Sequence, residues 1–345
     1  MLLYLIIWKP QISGLLKGEV NLLDSLFANT RIDFRQAWIY LKEAKVIPLI
    51  ICFFITPLHV FVRSHRWKLL IEPVGKVSTA DAFSIQMLGY FANTILPLRI
   101  GEVVRGFLLS RKTKLTISTS LATVVLERLL DVISLLVVIA VLGLVYEFPA
   151  ALRDGAMVLG IFALIALVGI TYYALKKDPL SGVTGKIIDL FPVKIAAKVR
   201  NVMLGFVKGF SLIRSVKRYP TVLVETVVLW ILYALQEYVV LIAFDIPAKF
   251  PMLGDNPIMA TFVILAVTAA ILSIPSAPSG IGTFHAAVIF SLALFNVGVD
   301  TAAGYAFTLH TITIAFYLIF GLVILWFEGL KFGELRGIGN NQVGT

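Results

Sequence analysis

The chain has 345 residues, of which 59% are hydrophobic and 14% charged, with 30 basic against 20 acidic residues for a net charge of +10. An ordinary soluble domain is roughly 45–50% apolar and about 25% charged, so this balance excludes a water-soluble enzyme and a disordered chain and indicates an all-α polytopic integral membrane protein. The apolar residues form runs of about 15–25 rather than alternating segments of about ten, which argues against a transmembrane β-barrel.

In chain order, residues 1–8 form an apolar stretch too short to cross a bilayer, read as the tail of a first helix or an interfacial anchor. It is not a good signal peptide, because no basic region precedes it and Lys9-Pro10 follows. Residues 46–62, 129–146, 156–175, 221–244 and 301–327 each reach or approach the roughly 20 residues of a membrane span. Residues 79–98 are only moderately apolar and carry Asp81, Gln86 and Asn93, and residues 257–297 are apolar but broken by Pro275, Pro278, Gly280 and Gly282. The total expected is about 6–8 membrane helices in one integral membrane domain, 1–345, with halves 1–175 and 221–345 joined by segment 176–220.

Lysine and arginine counts orient the spans: four in 63–76, five in 99–114 and ten in 176–218, against one each in 147–154 and 245–255. The rich segments are read as cytoplasmic and near anionic headgroups, and the poor ones as external. The basic charge therefore calls for no nucleic-acid partner. Residues 79–98 lie between two cytoplasmic segments, and a re-entrant hairpin entering from the cytoplasm resolves that parity. Residues 258–297 give the mirror image from outside, although two full crossings with a tight break satisfy the same charges. In segment 176–218, Ile195, Val199, Val202, Phe206, Phe210 and Ile213 recur every three or four residues with basic residues largely between them, as in an amphipathic helix lying in the cytoplasmic headgroup layer.

Both breaks read Pro-x-x-Ile-Gly: Pro97-Leu98-Arg99-Ile100-Gly101 and Pro278-Ser279-Gly280-Ile281-Gly282. Paired interruptions in corresponding halves point to a transporter built from inverted repeats. Proline lacks an N–H and glycine frees the backbone, so broken helix ends expose donors and a positive dipole to a buried anion. Pro97, Gly101, Pro275 and Pro278 are the structural breaks, and Ser279, Gly280, Gly282 and Thr283 offer donors at the second one. The same residues are also compatible with plain loops at the membrane surface.

Arg99, Glu102 and Arg105 follow the first break at spacings of three, a plus-minus-plus row that suits a phosphate. Glu127, Arg128 and Asp131 lie in a helical pattern over 116–146, where each charge costs roughly 2.5–3.5 kcal/mol at a helix centre. Glu237 falls deep in an apolar span, where it carries a proton, receives a substrate amine or pairs with an arginine. His310 lies mid-span, where a lone histidine more often bonds a neighbouring helix than a metal. Four histidines without His-x-x-His or Glu-x-x-His spacing suggest no metal, Cys52 alone makes no disulfide or zinc site, and hydrolase and ATPase motifs are missing, so no cofactor and no enzyme activity are expected.

Asn93 through Arg105, Leu126-Glu127-Arg128-Leu129-Leu130-Asp131, Pro275 through Phe284, and Arg63 with His65-Arg66-Trp67 together resemble the lysylphosphatidylglycerol synthase transmembrane, or flippase-like, family over roughly residues 20–330. The family pattern usually has Gly at Leu98 and at Ser279, and Glu at His285. It also begins with a full first helix where only residues 1–8 remain here, which suggests a late start codon or a shortened chain. The resemblance implies movement of a lipid between leaflets of the inner membrane of a prokaryote. Bifunctional relatives add a soluble aminoacyl-transferase domain, but this chain ends about 18 residues after its last span, so that activity is expected to be absent. The expected partner is a phospholipid or a polyprenyl-phosphate lipid, with a homo-oligomer or a separate biosynthetic enzyme as further partners. In this reading Arg99, Arg105 and Arg128 attract the phosphate, while Glu102, Glu127, Asp131 and Glu237 position them or bind a cationic headgroup. The alternatives are a membrane-embedded lipid- or glycan-modifying transferase and a non-catalytic partner of a biosynthetic complex.

Overall fold

The computed structural model describes residues 42–96, 100–148, 150–176, 180, 183–210, 216–273 and 278–329, and these are helical throughout, without strand. Residues 1–8, Pro97, Leu98, Arg99, Pro275 and the tail beyond Gly329 lie outside the described residues. The helices are α1 (Val46–Ile71), α2 (Thr79–Ile95), α3 (Gly101–Lys112), α4 (Ile117–Leu142), α5 (Ala150–Leu175), α6 (Val183–Ile188), α7 (Val193–Gly209), α8 (Tyr219–Ala243), two single turns α9 (Ile246–Lys249) and α10 (Pro251–Gly254), α11 (Pro257–Leu272), α12 (Thr283–Ala293) and α13 (Val299–Phe327).

Four of these helices, α1, α5, α8 and α13, are long and apolar enough to cross a membrane. The protein is a polytopic membrane protein. Helix α5 shows why composition alone was decisive: only 6% of its apolar window is buried by protein, so its Phe162, Leu164 and Ile165 require a lipid environment. By contrast α2, α3, α11 and α12 have 17, 12, 16 and 11 residues and rise only about 16–26 Å. Each is short of the roughly 30 Å of bilayer hydrocarbon.

The chain divides into two compact units, a larger one of residues 58–231 and those from 317 on, and a smaller one of residues up to 57 with 232–316. The division falls inside α1, α8 and α13. This partition differs from the sequence halves, because those long helices contribute one end to each unit.

In the larger unit the core is formed by Trp67 and Leu70 of α1, Ile85 and Phe91 of α2, Val104 of α3 and Leu126 of α4. Helix α1 does not stop where its uninterrupted apolar run ends at Val62. No Pro or Gly occurs between Pro57 and Pro73, so the helix continues to Ile71 and carries Arg63 and Arg66 into the protein interior. Two of the four basic residues assigned to the first cytoplasmic segment are therefore buried helix residues rather than loop charges.

Helix α2 starts at Ser78, whose Oγ accepts from the Asp81 amide at 2.9 Å. It ends at Ile95, and α3 begins at Gly101 and packs back against it. The amphipathic helix expected in the basic segment, whose Ile213 lies outside the described residues, forms as α7 up to Gly209. It packs on α4 along Gly205 and Gly209, with Phe206 and Phe210 joining the core, while Ile195 and Val202 stay exposed. Its face is thus divided between α4 and the surroundings.

In the smaller unit α11 and α12 form a second packed pair, with Thr268 and Ser291 hydroxyls 3.4 Å apart in its interior. The expected break between them forms at residues 278–282. Ser279, Gly280 and Gly282 there take φ values of 58°, 70° and 90°, a positive-φ backbone that leads the chain into α12.

Candidate functional site

Seven charged side chains from three helices of the larger unit meet around α4. Helix α1 supplies Arg63 and Arg66 at i,i+3, α3 supplies Glu102 and Arg105, and α4 supplies Glu127, Arg128 and Asp131. Arg63 Nε lies 2.8 Å from Glu127 Oε1, and its Nη2 donates to Asp131 Oδ2. Arg66 Nη2 donates to the other Asp131 oxygen and its Nη1 to Thr226 Oγ1 of α8 at 3.2 Å. The i,i+4 spacing of Glu127 and Asp131 therefore aims both carboxylates at α1, where Arg63 bridges them.

Arg105 donates through Nη2 to Glu127 Oε2, and its guanidinium stacks 4.2 Å over the Trp67 ring. Trp67 in turn donates its indole N–H to Thr123 Oγ1 at 3.2 Å. Arg128 donates through Nη2 to Glu102 Oε1 at 2.5 Å and lies 3.6 Å from Asp131.

The first break is held by Asn93, the residue that interrupts the apolar face of α2. Its Oδ1 accepts the Gly101 N–H at 2.7 Å, the first orphan donor of α3, and its Nδ2 donates to Glu102 Oε2 at 3.3 Å. The limbs touch because glycine stands on both sides. A Cβ on Gly101 would lie 2.0 Å from the Gly89 carbonyl oxygen, and one on Gly89 would lie 2.5 Å from Arg105 Cγ.

Burial divides the cluster into two ends. The side chains of Arg63, Arg66, Arg105 and Glu127 are sealed, whereas Arg128 is 34% exposed and Asp131 26%. Four guanidinium groups face three carboxylates, so one positive charge is left over, and the accessible arginine is Arg128. The sequence row of Arg99, Glu102 and Arg105 does not act as one strip: Glu102 and Arg105 reach different acid–base partners on α4, and Arg99 lies outside the described residues.

Partly exposed pairs lie elsewhere in the unit. Lys112 at the end of α3 joins Asp81 at 2.5 Å and Glu328 at 2.7 Å, and His65 Nδ1 meets Glu225 at 2.6 Å. A cavity of about 640 Å³ opens between α4 and α5, lined by Leu136, Tyr146, Arg153 and Met157 among others, and includes none of the seven charged residues.

At the second break His310 of α13 shares a hydrogen bond with the Ser279 carbonyl at 3.0 Å. Its ring stacks on Phe284 with centroids 4.6 Å apart, and His285 meets it edge-on at 4.8 Å. The Gly282 N–H donates to His285 Nδ1 at 3.5 Å. Glu237 lies elsewhere in the smaller unit, on α8. It pairs with no arginine among the described residues, and its Oε2 is buried without a hydrogen-bond partner.

The description "Lysylphosphatidylglycerol synthase TM region" matches residues 15–321 of the chain. The chain belongs to this family. Family relatives include the "UPF0104 membrane protein MJ1078" of Methanocaldococcus jannaschii, 24% identical over 68% of this chain and 93% of its own length. A "UPF0104 membrane protein" of Methanothermobacter thermautotrophicus is 23% identical over 74% of this chain and 77% of its own. The "UPF0104 membrane protein PH1989" of Pyrococcus horikoshii is 24% identical over 77% and 83%. No solved structure matches the chain. The family match spans both breaks and all seven clustered charges.

Sequence reasoning placed Glu102, Arg105, Glu127, Arg128 and Asp131 together, but gave Arg63 and Arg66 no role in the site. The signal that finds them is the unbroken helical run between Pro57 and Pro73, which keeps both arginines on one face.

Proposed function

We propose that this protein moves an anionic or phosphate-containing lipid between leaflets of the cytoplasmic membrane of a prokaryote. The observation that carries the reading is the charge cluster, which has one more arginine than carboxylates, a sealed end of interlocked ion pairs and an open end where Arg128 is accessible. Ionisable groups packed inside a membrane helix bundle are costly and mark substrate paths. A planar guanidinium recognises a phosphate through paired N–H donors. Arg63, Arg66 and Arg105 fix Glu127 and Asp131, and Asp131 and Glu102 hold Arg128 at the opening, where a headgroup phosphate displaces one of the two carboxylates. In this reading the short pairs α2–α3 and α11–α12 are inverted re-entrant hairpins, each broken where proline and glycine interrupt an apolar segment. Lys45 and Asp245 form an exposed ion pair, 2.5 Å apart, at the end of the smaller unit that the charge pattern reads as external.

The test is transfer of fluorescent short-chain phosphatidylglycerol in proteoliposomes, read by albumin extraction. Arg99→Ala and Arg128→Ala are each expected to slow transfer at least about tenfold, equivalent to roughly 1.4 kcal/mol of lost headgroup interaction. Unchanged transfer in both variants overturns the site.

A further inference from the structure

A carboxyl group with no counter-charge among the described residues is buried in the smaller unit, and the cluster does not use it. Glu237 stands near the C-terminal end of the span α8 with only 6% of its surface exposed, and its Oε2 lies buried without a hydrogen-bond partner. Its surroundings come from three elements. Helix α13 presents Tyr305, fully buried, whose hydroxyl donates to the Glu237 backbone carbonyl at 3.1 Å and not to its carboxyl. Helix α1 presents Cys52, beside Tyr305. On α8 itself Gln236 turns away to donate to Thr56 Oγ1 at 3.1 Å and to Thr313 Oγ1 at 3.3 Å. Among the described residues, the titratable groups that face Glu237 are thus a phenol and, behind it, a thiol, both neutral at pH 7.

This contrasts with Glu127, which is fully buried but has three arginines within 4.0 Å, Arg63, Arg66 and Arg105. An ionised carboxylate in the setting of Glu237 has no partner charge among the described residues and no donor at its buried Oε2, and burying one costs far more than burying the neutral acid. A metal cation needs a shell of several oxygens. Among the described residues no group of three His, Cys, Asp or Glu is placed to hold one. A proton needs one carboxylate oxygen.

We infer that Glu237 is a proton-binding site within the membrane: its carboxylate takes up one proton to become the neutral acid in the state described, and releases it when the conformational cycle opens the pocket to water. Each turn changes the charge of this site by one unit, so a proton moves with each cycle. The inference rests on the transport reading for its meaning and supplies that transport with an energy source, while the carboxyl chemistry stands independently of any lipid.

Two measurements test it separately. First, infrared difference spectra of the full chain in nanodiscs are recorded across a pH titration. A buried carboxylic-acid band present at neutral pH, lost at alkaline pH, missing in Glu237→Gln and shifted in Glu237→Asp is the expected result. No such band, or one that persists in Glu237→Gln, overturns the inference. Second, phosphatidylethanolamine–phosphatidylglycerol proteoliposomes are given a gradient of one pH unit with the membrane potential clamped to zero. One proton per lipid corresponds to about a tenfold leaflet ratio of labelled phosphatidylglycerol. Wild type is expected to approach that ratio and Glu237→Gln to show no response to the gradient. Transfer that ignores the pH gradient in wild type, or follows an imposed sodium gradient instead, overturns proton coupling. Absence of any lipid transfer in wild type overturns the transport reading, and the infrared titration then decides Glu237 by itself.

Discussion

Arg63 on α1 and Glu127 on α4 form a fully internal ion pair, Nε to Oε1 at 2.8 Å, and it is the joint on which the larger unit is assembled. Glu127 also takes Arg105 from α3, so one carboxylate ties three helices together. Removing one partner of a buried pair leaves an uncompensated charge and costs about 3–5 kcal/mol. Arg63→Met and Glu127→Leu are each expected to destabilise the protein by that amount, measured as loss of the monodisperse peak after heating in detergent. A loss of less than about 1 kcal/mol in both would show that the pair does not join the helices.

The first break has a second, uncharged fastening. Asn93 accepts from the Gly101 amide and donates to Glu102, so it sets both where α3 starts and where the Arg128 partner points. Asn93→Ala removes a helix-end acceptor worth about 0.5–2 kcal/mol and frees Glu102. Gly101→Ala drives a methyl into the Gly89 carbonyl and is expected to be the more damaging of the two, since backbone rather than a flexible side chain must move. Cysteine cross-linking between α2 and α3 reads the separation: its efficiency is expected to fall in both variants and to fall further in Gly101→Ala.

Much of this was legible in the sequence for identifiable reasons. The four long spans follow from hydropathy, since in lipid every backbone group must be satisfied inside a helix. The breaks follow from proline and glycine, and the α4 charges stand out because they interrupt an apolar run. Arg63 and Arg66 were hidden because positive charge at the end of an apolar run has the same appearance whether it faces the cytoplasm or a buried acid, and only the partner on α4 tells them apart. The α7 face was half legible: its periodicity gave the helix, but periodicity does not say whether Phe206 and Phe210 meet lipid or protein, and here they meet the core. That Glu237 meets no arginine among the described residues while Glu127 meets three is a matter of tertiary neighbours, which spacing along one helix does not contain.

At the second break Ser279 adopts φ 58°, ψ 1°, a conformation in which a side chain costs about 1–2 kcal/mol relative to glycine. Glycine takes this conformation without that cost. The Ser279 contribution visible at the site is its backbone carbonyl, which meets His310. Ser279→Gly is therefore expected to raise thermal stability by about 1 kcal/mol while keeping that hydrogen bond. A lowered melting temperature would show that the hydroxyl makes a contact that outweighs the strain.

Asp81 and Lys112, 2.5 Å apart and outside the four spans, give a pH dependence whose sign can be worked out. The hydrogen bond from Lys112, reinforced by Ser78, holds the Asp81 carboxyl below its usual range. Partial burial pulls the Lys112 ammonium down, but hydrogen bonds to Asp81 and Glu328 outweigh it and hold the group above its usual value. A carboxyl with a depressed folded value stabilises above its ordinary pKa of about 3.9 and loses that contribution as pH falls through the folded value. An ammonium with a raised folded value stabilises below its ordinary pKa of about 10.4 and loses that contribution as pH rises through the folded value. The contact therefore contributes most across the neutral range and fades at both extremes. With 39% and 30% of the two side chains exposed, solvent screening limits the effect to about 1 kcal/mol or less. Asp81→Asn is accordingly expected to melt slightly below wild type at pH 7, with the gap closing as both are titrated towards pH ~3. A gap that widens on acidification would mean that Asp81 acts through something other than its charge.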